Sequence, residues 1–198
     1  RAGFEDALEI FREIGDRSWE ATTRHQLATI ALNQGDYEEA RAGFEDALEI
    51  FREIGDRSGE AKARHQLASI TLNQEGYEAA RAEFEEVLLL RQEIGDRSGE
   101  ATTFGQLGYL ANTVDKREKA LRFYLHAFRI HREIGHRHQG TAWNHVAALA
   151  AELELSEEEL KEITQEAAES YAEDRGWGLI QEAFPDADHP DDVPPTTD

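Results

Sequence analysis

Histidines recur along the chain at positions where a metal ion or an acid–base centre could use them. His25, His65 and His145 are separated by 40 and 80 residues. Neighbouring packed helices lie about 8–10 Å apart, whereas zinc ligands lie about 2 Å from the ion that they share. Because histidines at this spacing belong to different repeats of the chain, we expect no metal site among them.

A second histidine group, His136-x-His138 with His131 nearby, falls in a predicted turn. It has no acidic or cysteine partner at a set spacing, so these side chains are expected on the surface. The sequence contains no nucleophile elbow, no phosphate-binding glycine loop and no zinc-protease helix motif. Its many carboxylates are expected on exposed helix faces, often four residues from Arg or Lys. The sequence therefore predicts no enzymatic activity, no catalytic residue and no cofactor.

The net charge of the chain limits the kinds of molecule that it is expected to bind. Of 198 residues, 42 are acidic and 21 are basic, which gives a net charge of −21. A surface that binds nucleic acid or an anionic membrane needs clustered Lys and Arg, so we expect neither partner and favour neutral or basic proteins. The alternative is that the acidic charge only keeps an exposed protein soluble. The absence of cysteine, of a signal peptide and of an apolar run near the ~20 residues of a membrane span predicts a cytoplasmic protein.

A series of polar side chains has the spacing of one helix face. The four polar side chains between Thr22 and Asn33 follow steps of three, four and four residues, which places them on one face. The pattern recurs after 40 residues, continues to Tyr109, and becomes apolar at Leu149 and Leu153. Such a face suits hydrogen bonding to an extended peptide, and the alternative is an ordinary solvated face. The predicted partner-binding residues are Thr22, His25, Thr29, Asn33, Lys62, His65, Ser69, Asn73 and Tyr109.

The elements that would position these residues repeat with a period of 40 residues. Residues 1–40 and 41–80 are identical at 32 of 40 positions, and residues 81–120 match the preceding unit at 18 positions. The tripeptide Glu-Ile-Gly occurs four times at 40-residue intervals. A fixed period of this length is typical of a solenoid, in which each unit packs on its neighbours.

Each unit is predicted to contain two helices. The second helix carries an apolar stripe over residues 44–54, with steps of three and four residues. Gly55 suits its C-terminus, because glycine accepts the left-handed conformation found there. Asp56 or Ser58 then caps the next helix, and the sequence leaves both open. Three further helix starts have the spacing of a capping box, namely Asp36 with Glu39, Asp115 with Glu118, and Ser156 with Glu159.

These patterns divide the chain into an array, a capping segment and a tail. Residues 1–174 are expected to form the array, with an orphan helix at 1–14, three clear helix pairs, and a degenerate pair at 137–174. Residues 175–184 contain an apolar cluster that either folds back over the last pair or docks on a neighbouring molecule. The capping residues are Trp177, Leu179, Ile180 and Phe184. Residues 185–198 are acidic and proline-rich and are expected to be disordered.

The small and aromatic residues of each unit resemble tetratricopeptide repeats. In the first complete unit the matching residues are Leu27, Ala28, Gly35, Tyr37, Ala40, Phe44, Ala47 and Leu48. The period of 40 rather than 34 is similar to the repeats of bacterial multidomain regulators, signalling ATPases and kinesin light chains. Ala28 and Ala68 stand where the family has glycine, and Arg52 or Gln92 where it has proline. The resemblance implies an all-α, right-handed superhelical solenoid that binds ligands on a concave wall of first helices.

We therefore expect a non-enzymatic scaffold that binds a protein or peptide on its concave face. Because the sequence starts at Arg1 and contains no methionine, it is expected to be a fragment of a larger bacterial signalling or regulatory protein. The alternative is a self-association module. A repeat buries its core only against its neighbours, so the orphan helix is expected to pair with another copy in a homodimer. The residues predicted to do so are Phe4, Leu8 and Phe11.

Overall fold

The computed structural model describes residues 1–74 and 76–185, which form ten α-helices and no strand. The helices are α1 (Ala2–Ile14), α2 (Arg17–Gln34), α3 (Tyr37–Glu53), α4 (Arg57–Gln74), α5 (Tyr77–Glu93), α6 (Arg97–Thr113), α7 (Arg117–Glu133), α8 (Gln139–Glu152), α9 (Glu157–Asp174) and α10 (Trp177–Ala183). None of these ten helices is long and apolar enough to cross a membrane. The tail at residues 185–198, predicted to be disordered, lies outside the described residues except for Pro185.

A repeated Gly-Asp dipeptide ends one helix and begins the next. Gly15 and Gly55 have φ angles of 71° and 69°, in the left-handed region that glycine tolerates. The Asp16 side chain accepts a hydrogen bond from the backbone N–H of Trp19 at 3.1 Å. Asp56 accepts the equivalent bond from Gly59 at 2.9 Å. The cap that the sequence left open is therefore Asp56 and not Ser58.

Of the predicted capping boxes, one is confirmed and one is wrong. Ser156 and Glu159 form one at the start of α9, as predicted. The prediction for Asp115 is wrong, because Lys116 is the residue that precedes α7 and it forms no side-chain cap. Asp115 has a φ angle of 59° and occupies the register position of Gly35, 80 residues earlier. It therefore takes the place of the left-handed glycine rather than that of the cap.

The chain divides into two compact units, residues 1–94 and residues 95–198. In the first unit each helix from α1 to α5 packs on the next. Small residues let the helices approach closely, since a Cβ atom on Gly43 of α3 would lie 2.9 Å from the Cβ of Ala28 in α2. Phe44 fills the space beside this contact and is fully buried. The core is thus built from alternating small and large side chains, which gives the helices a fixed register.

In the second unit α7 is the central helix, and α6, α8, α9 and α10 all pack on it. Helices α9 and α10 also contact one another. Helices α8 and α9 both rest on α7 but make little contact with each other. An open space therefore remains between α8 and α9 above the C-terminal part of α7.

A buried carboxylate recurs at the start of α2, α4 and α6. Glu20, Glu60 and Glu100 are 4%, 3% and 0% exposed. Glu100 accepts a hydrogen bond from Arg97 at 2.7 Å and another from the hydroxyl of Tyr171 at 2.6 Å. Burial raises the pKa of Glu20. Hydrogen bonds from Arg17 and Arg24 outweigh this effect and hold the pKa below its usual value. The expectation that carboxylates lie on exposed faces is wrong for these three, because each is buried with an arginine partner.

Candidate functional site

A groove of about 280 Å³ runs over α6, α7 and α8 in the second unit. Thr102, Gly105 and Tyr109 of α6 line one wall, and Thr141 and His145 of α8 line the other. The bottom is formed by α7. Gly105 leaves room in the groove, because a Cβ atom there would meet nothing within 4 Å. A shape with two polar walls and an aromatic bottom suits an extended segment that needs both hydrogen bonds and apolar contact.

The aromatic side chains of this groove pack against one another. His145 stacks on Tyr124 of α7, with ring centroids 4.7 Å apart and an interplanar angle of 14°. Burial, together with the neighbouring Tyr109, raises the pKa of Tyr124 to about 12. Tyr109 itself is 52% exposed. The groove therefore offers hydroxyl and imidazole groups as hydrogen-bond partners and presents one large aromatic ring to a ligand.

In the first unit the predicted partner-binding residues lie on α2 and α4. Asn33, Lys62 and Asn73 are exposed, whereas Thr22, Thr29 and Ser69 are half-buried. The three hydroxyl groups donate to the carbonyl four residues earlier in their own helix, at 3.0, 2.8 and 2.9 Å. Their oxygen atoms remain available as acceptors, while their donor capacity is used within the helix.

His25 and His65 are less accessible to a binding partner than the other predicted partner-binding residues of α2 and α4. Both are half-buried, and their rings pack edge-on against Phe44 and Phe84 with centroid distances of 5.0 and 5.4 Å. Burial lowers the pKa of both, that of His65 to about 3. One ring nitrogen of each is buried without a hydrogen-bond partner among the described residues. These histidines pack helix against helix, and only their outer edges reach the surface.

The histidines at the turn between α7 and α8 do come together. The ring of His131 stacks on that of His136 at 4.8 Å, and His138 lies 4.9 Å from His136. Burial and these two neighbours lower the pKa of His131, which is only 4% exposed. The prediction of a surface position is therefore wrong for His131, because α7 places its ring under the two turn histidines. Over residues 1–74 and 76–185, no group of three or more His, Cys, Asp or Glu side chains has an arrangement that could hold a metal ion. His131 and His138 contribute instead to the lining of the groove.

The residues predicted for self-association lie on α1, a helix in which no residue is fully buried. Phe4 is 41% exposed, whereas Leu8 and Phe11 are half-buried. The ring of Phe11 stacks on Trp19 of α2 at 5.6 Å. The apolar surface that α1 presents is therefore carried mainly by Phe4, Ile10 and Ile14.

The four predicted capping residues are all buried, at 7% exposure or less. They belong to α10 and its C-terminal end, which pack on α7 and α9. Phe184 stacks on Phe123 of α7 at 6.2 Å. At the turn before α10, a Cβ atom on Gly176 would lie 2.8 Å from the ring of Phe104. The ammonium group of Lys116 donates a hydrogen bond to the carbonyl of Ala183.

Sequence reasoning missed the contribution of second helices to the groove. Tyr124 and His131 of α7 line its bottom, but the sequence pattern was read only along first helices. In a two-helix repeat the second helix lies between successive first helices, so the side chains on one of its faces form the bottom of the same groove, even though Tyr124 and His131 are nearly buried. The spacing of Tyr124, Ala127 and His131, at steps of three and four residues, was the signal that could have found them.

Comparison with known proteins identifies the repeat. A family model described as tetratricopeptide repeat matches residues 1–53 and 59–133, which is more than half of the chain. Among curated proteins no sequence matches the chain.

Several solved structures share the fold at low sequence identity. BtubC from P. vanneervenii superposes with a TM-score of 0.64 at 20% identity, covering 98% of this chain and 76% of its own. The apo form of RapI has a TM-score of 0.68 at 15% identity, covering 93% of this chain and 74% of its own. A Signal Transduction ATPase with Numerous Domains (STAND) with a tetratricopeptide repeat sensor, from Pyrococcus horikoshii, has a TM-score of 0.62 at 19% identity. The match covers 91% of this chain but only 28% of the ATPase. These likenesses confirm the predicted all-α helical-repeat fold class.

Proposed function

The chain belongs to the tetratricopeptide repeat family, and from that premise we propose that it is a non-enzymatic scaffold that binds a protein or peptide. Repeats of this family commonly mediate protein–protein interaction. We propose two binding surfaces, one in each unit: the groove over α6, α7 and α8 in the second unit and, separately, the polar faces of α2 and α4 in the first. The observation that supports the proposal most is the groove in the second unit, where the exposed ring of Tyr109 lies beside the Tyr124–His145 stack.

The chemistry of the groove favours an extended, uncharged segment of the partner. Its lining consists of hydroxyl, amide and imidazole groups and small apolar side chains, with no Lys or Arg among the residues that line it. It therefore lacks the cation that would hold a free C-terminal carboxylate. The net charge of −21 favours a neutral or basic partner over an acidic one. A preformed groove also spends little ordering entropy on binding.

The proposal is tested with a peptide selected from a random display library on the whole chain. Gly105→Trp fills the groove, and its side chain starts in open space, so the fold should be kept. We expect this variant to lower the affinity for the peptide at least about tenfold, measured by fluorescence polarisation. Gly140→Trp is the matched control, because Gly140 is also a helical glycine with an open Cβ position but does not line the groove. Equal affinity of the Gly105→Trp variant and the unmodified chain would exclude this groove.

The polar faces of α2 and α4 are tested separately. His65→Ala combined with Asn73→Ala removes two of the proposed contacts from α4 and changes no charge at neutral pH, since burial keeps His65 uncharged. We expect weaker capture of the same peptide with unchanged helicity. If affinity stays the same, the polar faces of α2 and α4 do not take part in binding this peptide.

The wider setting that we propose is a bacterial cytoplasmic signalling or regulatory protein of which this chain is one part. The likeness to the repeat sensor of the STAND ATPase, an archaeal protein, supports the multidomain part of this setting, because that repeat region belongs to a much longer chain. A sequence without cysteine is also compatible with a reducing compartment. Sequencing the gene that encodes residues 1–198 together with its flanks tests the proposal, which fails if no further domain is encoded.

A second function, self-association, is favoured by the exposure of α1. Residues 1–15 and 41–55 are identical in sequence, yet Phe4 is 41% exposed and Phe44 is 0% exposed. The same amino acids are thus covered in α3 and open in α1. We propose that a second copy covers them, and light scattering of a Phe4→Glu variant should then report a lower mass than that of the unmodified chain. An unchanged mass would count against it.

We further propose that α10 caps the array. The burial of Trp177, Leu179, Ile180 and Phe184 against α7 and α9 supports this role, because the last packed helices of an open array otherwise expose an apolar side. Truncation after Arg175 should lower the thermal stability of the dilute protein. Unchanged stability would refute the proposal.

A further inference from the structure

A cleft of about 600 Å³ lies between α8 and α9, with α7 as its bottom. Its apolar surface comes from Phe128, Trp143 and Leu160. The rings of Phe128 and Trp143 contact each other with centroids 5.0 Å apart, and Trp143 is nevertheless 41% exposed. The volume is within the range of about 300–1,000 Å³ of pockets that bind small molecules. The cleft shares no lining residue with the groove over α6, α7 and α8.

Large side chains hold the two helices of this pair apart. Helix α9 begins 40 residues after α7, so its positions can be compared with those of the earlier second helices. Leu160 occupies the position of a fully buried alanine in three earlier units, namely Ala40, Ala80 and Ala120. Trp143 likewise occupies the position of a small buried residue, namely Thr23, Ala63 and Thr103. Because larger side chains prevent the close approach of helices, the cleft results from residues inside the array.

The aromatic side chain that fills the earlier pairs is missing from this one. Phe44 and Phe84 are fully buried, and Tyr124 at the same position is 6% exposed. Thr164 follows Tyr124 by 40 residues, lines the cleft and is exposed. A threonine leaves unfilled the volume that a phenyl ring takes, so the cleft has room for a ring that the chain itself does not supply.

A carboxylate is missing from the same cleft. Nε of Arg52 in α3 pairs with Glu60 in α4 at 3.3 Å, and the guanidinium of Arg12 pairs with Glu20 at 3.6 Å in the repeat before. Eighty residues after Arg52 and Glu60 the chain has Arg132 and Gly140, which both line the cleft. Over residues 1–74 and 76–185 the guanidinium of Arg132 forms no ion pair. A Cβ atom on Gly140 would meet nothing within 4 Å, so open space replaces the glutamate.

The charge of the cleft matches one carboxylate. Its lining carries two cations, Arg132 and Lys161, and one anion, Glu157, which leaves a single positive charge. A small monoanion balances this charge. An acidic protein would suit the site less, because a chain with a net charge of −21 repels a partner that carries many negative charges.

We propose that the cleft between α8 and α9 binds a small aromatic monocarboxylic acid. The ring lies against Phe128 and Trp143, in the space that Thr164 leaves open. The carboxylate lies beside Arg132, in the space that Gly140 leaves open. The ligand thus supplies the two groups that the earlier units carry themselves. This site is independent of the peptide-binding groove and adds a small molecule to the partners of the chain.

The test is a nuclear magnetic resonance titration of the full chain, labelled with ¹⁵N, with naphthylacetate as the probe. Naphthylacetamide is the matched control, because it keeps the ring and loses the charge. The chain has three tryptophans, so the indole N–H signals report the site directly. We expect the signal of Trp143 to shift and those of Trp19 and Trp177 to stay. The dissociation constant of the acid should be at least about tenfold lower than that of the amide.

Two variants locate the carboxylate. Gly140→Glu supplies from the chain the carboxylate that the ligand would bring, and it should raise the dissociation constant at least about tenfold. Gly3→Glu is its control, because Gly3 is also a helical glycine with an open Cβ position and the change in net charge is equal. Arg132→Gln should have the same effect as Gly140→Glu, with Arg137→Gln, outside the cleft, as its control.

A third variant locates the ring. Thr164→Phe restores the aromatic residue of the earlier units and should also raise the dissociation constant at least about tenfold. Circular dichroism should show equal helicity in all variants.

Three results would overturn the inference. Equal affinity for the acid and the amide would mean that the cleft does not recognise a carboxylate. Unchanged binding by both Gly140→Glu and Arg132→Gln would mean that the acid binds elsewhere. A Trp143 signal that does not move at the highest soluble concentration of naphthylacetate would mean that the cleft takes no such ligand, and would leave peptide binding in the groove untouched.

Discussion

Replacement of Gly176 by alanine tests whether the turn before α10 packs against α6 and α7. Gly176 has a φ angle of 91°, and the left-handed region costs an L-residue about 1–2 kcal/mol. The added Cβ would lie 2.8 Å from Cζ of Phe104, a contact that forces the core to shift at a cost of about 1–3 kcal/mol. The two effects together predict that the free energy of unfolding falls by about 2–5 kcal/mol.

Gly135→Ala separates the two effects. Gly135 has a φ angle of 63°, and a Cβ atom there would meet nothing within 4 Å, so only the conformational cost of about 1–2 kcal/mol applies. Urea unfolding followed by far-ultraviolet circular dichroism measures both variants. We expect Gly176→Ala to lose about 1–3 kcal/mol more than Gly135→Ala. In a Phe104→Leu background the shorter side chain should make Gly176→Ala less costly than in the unmodified chain, so the double variant is compared with Phe104→Leu alone.

An equal loss of unfolding free energy in Gly176→Ala and Gly135→Ala would refute this reasoning. The chain near Gly176 would then not approach Phe104, and the close packing of α10 on α7 that follows from it would also be in doubt. A larger m-value in one variant would signal a change in the surface exposed on unfolding, so the comparison requires equal m-values.

Three further predictions concern other buried groups. Ile180→Ala should lower the free energy of unfolding by about 2–5 kcal/mol, and Gln181→Ala, at an exposed neighbour, by no more than about 0.5 kcal/mol; urea unfolding measures both. Glu100→Gln should cost about 1.5–3 kcal/mol, because Arg97 and Tyr171 lose the charged acceptor of their hydrogen bonds, whereas Glu118→Gln on the surface should change thermal stability by no more than about 0.5 kcal/mol. His65 has a pKa lowered to about 3 against an ordinary value of 6.5, so the unfolded chain binds more protons between these values. Its contribution to stability is therefore complete above pH 6.5 and falls by up to about 1.4 kcal/mol per pH unit below it, a slope that His65→Leu should remove from urea titrations at several pH values.

The regular part of the fold follows from the sequence because each unit repeats the same local signals. Glycine at the helix end and aspartate at the next helix start set the boundaries, and the stripe from Phe44 to Ile54 sets the buried face. The sequence does not distinguish Asp56 from Ser58 as the cap, since either side chain can accept from the same unpaired N–H groups at the helix start. Asp115 was misjudged because its register position belongs to the turn glycine, and a capping-box spacing alone does not reveal the backbone angle.

The irregular part of the second unit could not be predicted, because no repeat specifies it. The two helices of the degenerate pair look like earlier pairs in their apolar spacing, yet both rest on α7 and leave a cleft between them. The sequence also does not reveal that Tyr171, far along the chain, hydrogen-bonds Glu100. Long-range polar pairs of this kind depend on tertiary packing, and no spacing rule encodes them.

The most direct test of the central claim is a nuclear magnetic resonance titration of the whole chain, labelled with ¹³C in its tyrosine rings, with the selected peptide. The chain has five tyrosines, of which Tyr109 and Tyr124 line the groove while Tyr37, Tyr77 and Tyr171 lie elsewhere. The account predicts that the ring signals of Tyr109 and Tyr124 shift on saturation and that those of the other three do not. A bound peptide that leaves Tyr109 and Tyr124 unchanged would contradict it.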